Sequence, residues 1–282
     1  MNNVIEVRGV TMKFRDTVAL DNVSVSFGEN RIYGLLGRNG AGKTTLLNLI
    51  TNRLFPVDGD VRIQGMPASE NDRAQGNVYY MGEKNLMPDG TTVKQLFRWT
   101  GDFFPGFRMD YAYGLAEKFG LNTKKKLKGL STGYLTIAKL IAALATSVPY
   151  LLFDEPVLGL DANHRDLFYR ELIQDYGEHP RTIILSTHLI EEVADMIEQV
   201  VIIKQGRILL DRPAEEVKRM GYSVSGKAGE VEAYCAGRQV LSIDTLGGLK
   251  TACVMGRPDD VPPSLEVNAL DLQKLFIQLT NA

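Results

Sequence analysis

The segment Gly37-Arg38-Asn39-Gly40-Ala41-Gly42-Lys43-Thr44-Thr45 constrains this chain more than any other. It fits the pattern G-x-x-x-x-G-K-[ST], and its surroundings give that pattern mechanical meaning. Ile32-Tyr33-Gly34-Leu35-Leu36 before it reads as a short buried strand, and Lys43 to Asn52 places Leu46, Leu47, Leu49 and Ile50 at helical spacing. Small residues let consecutive backbone N–H groups curl around phosphates, and the helix opening near Lys43 adds the positive end of its dipole. Lys43 can reach the β- and γ-phosphates of a nucleotide, and the Thr44 hydroxyl can ligate Mg²⁺.

The rest of the first half alternates strand-like and helix-like patterns, so the expected class is α/β. Val23 to Phe27, Asp60 to Gln64 and Asn77 to Met81 read as strands. A helical stretch runs from Thr92 to Phe119, broken at Pro105-Gly106, and Ser131 to Ala145 predicts a long helix. Tyr150-Leu151-Leu152-Phe153, Thr182-Ile183-Ile184-Leu185 and Val200-Val201-Ile202-Ile203 are buried-strand runs. Helices are expected over Ala162 to Tyr176 and Leu189 to Glu198, and a short one past Pro213. Ser223 to Gly256 alternates apolar and polar residues with frequent Gly and predicts a small sheet, followed by a closing helix over Leu270 to Leu279. A boundary is expected near 215–222.

Two further features carry chemistry. Leu151 to Pro156 ends a buried strand in Asp154-Glu155. In open α/β sheets ligands bind at the carboxyl ends of the strands, so Asp154 is placed to hold Mg²⁺ through water and Glu155 to polarise an attacking water. His188 ends another strand run and reads either as a reporter of the γ-phosphate or as a helix cap.

With these pieces in order, the sequence resembles the nucleotide-binding subunit of an ATP-binding cassette (ABC) transporter. Leu130-Ser131-Thr132-Gly133-Tyr134 places Ser131 23 positions before Asp154, where the family has its Leu-Ser-Gly-Gly-Gln signature. Leu160-Asp161 stands at the family's D-loop, and His188, 34 positions past Asp154, at its switch histidine. Phe14, before Val18-Ala19-Leu20-Asp21, matches the aromatic that stacks on adenine. Glu83 follows Tyr80-Met81-Gly82, where most members carry the Q-loop glutamine and where the side chain attends the metal.

The resemblance implies a P-loop NTPase of ABC type, with a mixed sheet and a helical subdomain over 84–148 inside an ATPase domain at 1–220, and a small α+β extension over 221–282. It implies ATP and Mg²⁺ as ligands. It also implies a second ATPase subunit whose phosphate loop faces Ser131 and Gly133 (homodimer or heterodimer), and a separate transmembrane permease. Three departures stand out: Thr132 and Tyr134 in the signature, Glu83 for glutamine, and Leu135-Thr136-Ile137-Ala138-Lys139 where a Gln-Arg cluster is usual. With Pro156 to Arg165, these look most like drug and antimicrobial-peptide exporter ATPases, including phenol-soluble-modulin exporters. The alternative is a soluble ABC-type ATPase with a non-membrane partner. Such chains usually carry two cassettes or split one around a coiled coil, and neither pattern is present.

Composition bounds the rest. With 32 Lys+Arg against 34 Asp+Glu, the net charge of −2 argues against nucleic-acid binding through bulk positive charge. No run of about 18 apolar residues exists to span a bilayer. Met1 to Glu6 has no basic or apolar leader pattern, and two cysteines, Cys235 and Cys253, make neither a disulfide framework nor a metal site. A cytoplasmic location, peripheral on the inner face of the membrane through the permease, is the resulting expectation.

Overall fold

A computed structural model describes residues 4–84, 86–269 and 272–281. The chain opens with the strands β1 (Ile5–Phe14), β2 (Thr17–Phe27) and β3 (Ile32–Leu36), then helix α1 (Lys43–Ile50). Next come β4 (Asp58–Ile63), β5 (Met66–Pro67), α2 (Asp72–Gln75) and β6 (Val78–Met81). Three helices follow, α3 (Val93–Phe103), α4 (Met109–Lys118) and α5 (Thr132–Leu144). The chain returns through β7 (Tyr150–Asp154), α6 (Ala162–Glu178), β8 (Thr182–Thr187), α7 (Ile190–Val193), β9 (Gln199–Lys204), β10 (Arg207–Pro213) and α8 (Ala214–Lys218). It ends in β11 (Gly221–Lys227), α9 (Ala228–Cys235), β12 (Val240–Leu246), β13 (Leu249–Met255), β14 (Glu266–Ala269) and α10 (Leu272–Asn281).

The central sheet has the order β10-β9-β3-β8-β7-β6, parallel from β9 to β6 with β10 antiparallel at one edge. Its strands are continuous apolar runs because both faces are covered. Leu151, Phe153, Ile183, Leu185, Val200 and Ile202 point into the core shared with α3 to α6. Tyr150, Leu152, Ile184, Val201 and Ile203 point into the core shared with α1 and the antiparallel sheet β2-β1-β4-β5. The period of two therefore splits one sheet between two cores.

Helix α3 begins with a capping box, Thr92 and Gln95 each bonding the other's backbone N–H. The chain breaks at Pro105-Gly106, with Gly106 at φ +87°, before α4 starts. The segment expected to be helical from Leu189 to Glu198 is helical only over Ile190–Val193. The helix stops because the chain must enter β9 beside β3. Glu198 N–H donates to Ile32 O at 2.8 Å, and the Glu198 carboxylate accepts from Ile32 N–H at 2.9 Å and from the Tyr176 hydroxyl at 2.8 Å.

A separate antiparallel sheet, β12-β13-β11-β14, follows α8. The small sheet expected over Ser223 to Gly256 is present but contains a helix, α9, which covers one face through Val231, Tyr234 and Cys235. Cys253 faces the opposite side, in the core that also holds Leu272, Leu275 and Phe276 of α10. Both cysteines are free thiols, and burial pushes the Cys235 thiol up. Leu270, the expected start of the closing helix, lies outside the described residues.

Beneath the opposite edge of the central sheet, Asp175 of α6 is buried and receives both the Arg181 and Arg108 guanidiniums. Arg181 also donates to the carbonyl oxygens of Leu144 and Thr146, closing the end of α5. Removing the acid leaves a buried guanidinium without its counter-charge. Asp175→Ala is expected to lower unfolding free energy by about 3–5 kcal/mol, measured as a shift of the urea midpoint at unchanged slope.

Candidate active site at the sheet edge

Strand register assembles the site. Leu36 of β3 pairs with Thr187 of β8 and Ile202 of β9, Asp154 of β7 pairs with Ser186, and Met81 of β6 pairs with Phe153. The residues that follow each strand therefore emerge in one row: Gly37, His188, Glu155 and Glu83. Parallel strands bring all of these to the same carboxyl edge.

The phosphate loop occupies this edge. Gly42 caps α1 at φ +112°, and a Cβ there would lie 2.8 Å from Ala19 O and 2.8 Å from Leu20 Cδ2. A side chain is excluded by backbone conformation and by space together. Lys43 is buried, and its Nζ donates to Gly37 O at 2.7 Å, folding the loop across its own base. Arg38, Asn39, Gly40 and Thr44 are exposed at the mouth. A cleft of about 420 Å³ is lined by Ala19, by the loop from Arg38 to Thr45, and by Glu83, Glu155, Leu158 and His188.

The acid pair divides by environment. Asp154 is buried and accepts from the Ser186 hydroxyl at 2.9 Å and the Tyr80 hydroxyl at 3.1 Å. Burial, reinforced by the Asp154 charge, pushes the Tyr80 hydroxyl well above its usual range, so it stays a donor. Glu155 takes φ +49°, uncommon for a residue with a Cβ, while its N–H still pairs with Ser186 O at 2.8 Å. That kink turns the strand end aside at the cleft. The Glu155 carboxylate lies 3.5 Å from Lys43 Nζ and 2.8 Å from His188 Nδ1.

Structure thus gathers Lys43, Thr44, Thr45, Glu83, Glu155 and His188 around one cleft and sets Asp154 behind them. Arg38 to Gly42 line the same cleft, whereas Phe14, Ser131 and Gly133 lie elsewhere. Phe14 ends β1 in the hairpin, half-exposed and paired with Thr17, and is not among the residues lining the cleft. Ser131 caps α5, its Oγ accepting from Tyr134 N–H at 3.3 Å, and Gly133 packs so closely that a Cβ would lie 2.8 Å from Gly159 O. Neither lines the cleft of its own chain.

Sequence reasoning missed three residues. Tyr80 and Ser186 hold Asp154, and the signal for Ser186 is a hydroxyl closing an otherwise apolar strand. Lys139 of α5 donates to Gly82 O at 2.9 Å and to Glu83 O at 2.7 Å, and burial lowers its pKa. The oxygen donors at this edge suit a hard cation. Among the described residues no group of three His, Cys, Asp or Glu forms a cage, and Mg²⁺ usually keeps several waters and phosphate oxygens instead.

Comparison with known proteins agrees with this geometry. The sequence model of the family described as "ABC transporter" matches residues 20–158. The chain is 28% identical over 215 residues to the ABC transporter ATP-binding protein YtrB of Bacillus subtilis, covering 76% of this chain and 74% of that one. It is 31% identical over 201 residues to the ABC transporter ATP-binding protein NatA of the same organism, covering 68% and 80%. The chain belongs to the ABC transporter ATP-binding family. Its fold is that of the solved dimeric structure of MJ0796, a bacterial ABC transporter cassette, with a TM-score of 0.67 at 21% identity over 74% of this chain and 98% of that one.

The cassette is accordingly the ATP-binding subunit of a transporter, and an ATPase. ATPases of this family act as dimers with transmembrane partners. Among its own described residues, no helix is long and apolar enough to cross a membrane. Gly42→Ala is expected to weaken ATP binding at least tenfold, because αL strain of about 1–3 kcal/mol adds to the clash with Ala19 O. Equilibrium titration with a fluorescent ATP analogue measures it.

Proposed function

We propose that this subunit hydrolyses Mg-ATP to drive a separate transmembrane permease that exports peptides or drugs, from a peripheral position on the inner face of the cell membrane. The observation that carries the hydrolytic assignment is the meeting of Lys43, Glu155 and His188 at one cleft. Glu83 in place of the usual glutamine, together with the altered signature, supports the exporter reading. Residues 1–220 form the ATPase domain in this reading, with its helical subdomain over 84–148, and 221–282 the accessory domain.

Each residue has a physical task. The loop from Gly37 to Thr45 cradles the phosphates with backbone N–H groups, and Lys43 neutralises charge on them. Thr44, Asp154 and Glu83 would hold Mg²⁺, Asp154 through water since hydroxyls already occupy its oxygens. The ion, when bound, offsets charge on the phosphate oxygens. Glu155 accepts the proton of the attacking water, and His188, bonded to it, fixes the orientation of the carboxylate. Phe14 stacks on adenine.

Ser131 and Gly133 open α5 at an exposed surface, where the helix N-terminus favours an anion. In a dimer they serve the nucleotide on the partner's loop. A homodimer satisfies this with two complete sites, because every site residue is present in one chain.

Glu155→Gln preserves size and removes the base. Turnover is expected to fall by about 10²–10⁴, while ATP still binds and the ATP-bound dimer accumulates on size-exclusion chromatography. Wild-type phosphate release by this variant would remove Glu155 from its role.

Sharing of sites between chains has its own test. Lys43→Ala disables the loop of its own chain, and Ser131→Arg blocks the signature offered to the other. Each homodimer should be inactive. Mixing the two, with subunit exchange verified by labels, places both lesions in one composite site and leaves the second intact. ATP-driven dimerisation should then return. If it does not, loop and signature act within one chain.

A further inference from the structure

Helix α10, at the end of the accessory region, packs on its own sheet and on α7 together. Leu272, Leu275, Phe276 and Thr280 are buried along one helical face, at the spacing i, i+3, i+4, i+8. The three apolar ones share a core with Ile190 and Val193 of α7, both fully buried. The Gln273 side-chain amide lies against the Glu191 carboxylate of α7, and the acceptors it faces assign its nitrogen, not its oxygen, to that side. On the other side Lys274 Nζ meets Asp244 Oδ2 of β12 at 2.6 Å. The last turn reaches the nucleotide edge, where Thr280 shares a cleft of about 310 Å³ with Arg38, Asn39, Gly40 and Ala41 of the phosphate loop.

What α10 touches gives this its meaning. A helix of four residues, as α7 is, has almost no stability of its own and depends on packing. Its N-terminus begins two residues after His188, whose Nδ1 lies 2.8 Å from Glu155 Oε2. From the far side α7 is held by Arg165, which bonds Glu192 at 2.6 Å, and by the Tyr169 hydroxyl at 3.3 Å. Arg165 Nε also donates to Leu160 O at 3.0 Å. The segment carrying His188 is thus clamped between α6 and α10.

We infer that α10 is a positioning element for hydrolysis: by packing on α7 it holds His188 against Glu155, so that this contact acts on turnover more than on nucleotide affinity. This rests on the role assigned to His188 above. Charged groups facing the contact are Glu191, Glu192, Arg165, Lys274 and Asp244, and none of them touches the cleft that receives the phosphates. Leu275 and Phe276 line neither that cleft nor the one that Thr280 shares with the loop, so loosening them should disturb the geometry of the base more than the phosphate cradle.

The test uses the full chain. Leu275→Ala/Phe276→Ala is expected to lower kcat about tenfold or more with KM for Mg-ATP within about twofold, since small misplacements of catalytic groups act on the chemical step. In a His188→Ala background the same pair should cause almost no further loss, which a general loss of stability would not reproduce. A gentler variant guards against misfolding. Gln273→Glu sets two carboxylates face to face and should slow turnover, and Gln273→Glu/Glu191→Gln should restore it by exchanging donor and acceptor. A slow His188→Ala protein beside a Leu275→Ala/Phe276→Ala protein of wild-type kcat overturns this inference alone, as does an equal fractional loss in both backgrounds or a failure of the exchanged pair to recover. Wild-type turnover by His188→Ala overturns the role of His188 and this inference with it.

Discussion

The register between β3, β8 and β7 is the constraint on which the remainder depends. Parallel pairing sets Leu36 level with Thr187 and Asp154 level with Ser186, so the phosphate loop, the histidine and the acid pair leave the sheet together. A slip of one residue would exchange the two faces of a strand and move Leu151, Phe153, Ile183 and Leu185 out of their core. Burial on both faces of the sheet makes that exchange costly. The hydrophobic packing that stabilises the fold is therefore also what fixes the distances at the site.

At that edge the charges are interlocked. Lys43 is buried, bonded to Gly37 O, and 3.5 Å from the Glu155 carboxylate, which is itself bonded to His188. In the proposed reading a phosphate entering the loop would compete with Gly37 O and Glu155 for the same ammonium. Binding would then be an exchange of partners rather than the capture of an isolated cation, which lowers its apparent gain but avoids a buried charge without a counter-charge. A carboxylate released from Lys43 would keep its bond to the histidine.

The site was readable where chemistry is local in sequence. The phosphate loop, Asp154-Glu155 and His188 each combine a strand end with an unusual residue, and period-two runs placed them on strands. Tyr80 and Ser186 were not readable as partners of Asp154, because their proximity depends on the order of strands in the sheet. The helix α9 was hidden for another reason. Val231, Ala233 and Cys235 fit a period of two, while Val231, Tyr234 and Cys235 fit a helix, and only packing on β11 and β13 decides between them. The expected helix from Leu189 was cut short by Glu198, whose bonds to β3 and α6 outweigh local propensity.

The departures from the family pattern become intelligible once side chains are placed. Tyr134, in the signature position usually held by glutamine, packs edge-on against His164, which in turn stacks on Phe119 at 6.1 Å. The start of α5 is thereby fastened to both α6 and the end of α4 by rings instead of by an amide. Lys139, one turn further on, replaces a missing Gln-Arg cluster with an ammonium that bonds the carbonyls of Gly82 and Glu83. Those carbonyls belong to the segment leaving β6, so α5 and the Glu83 segment are linked by a charged, half-buried donor. Such a link is stronger than a neutral hydrogen bond, and it lies between the exposed N-terminus of α5 and the carboxylate row at the sheet edge. Gly133 against Gly159, and Arg165 against Leu160 and Glu192, provide the second link between the same two regions. The start of α5 is therefore joined to the Glu83 segment through Lys139, and to α7 through Gly159, Leu160 and Arg165.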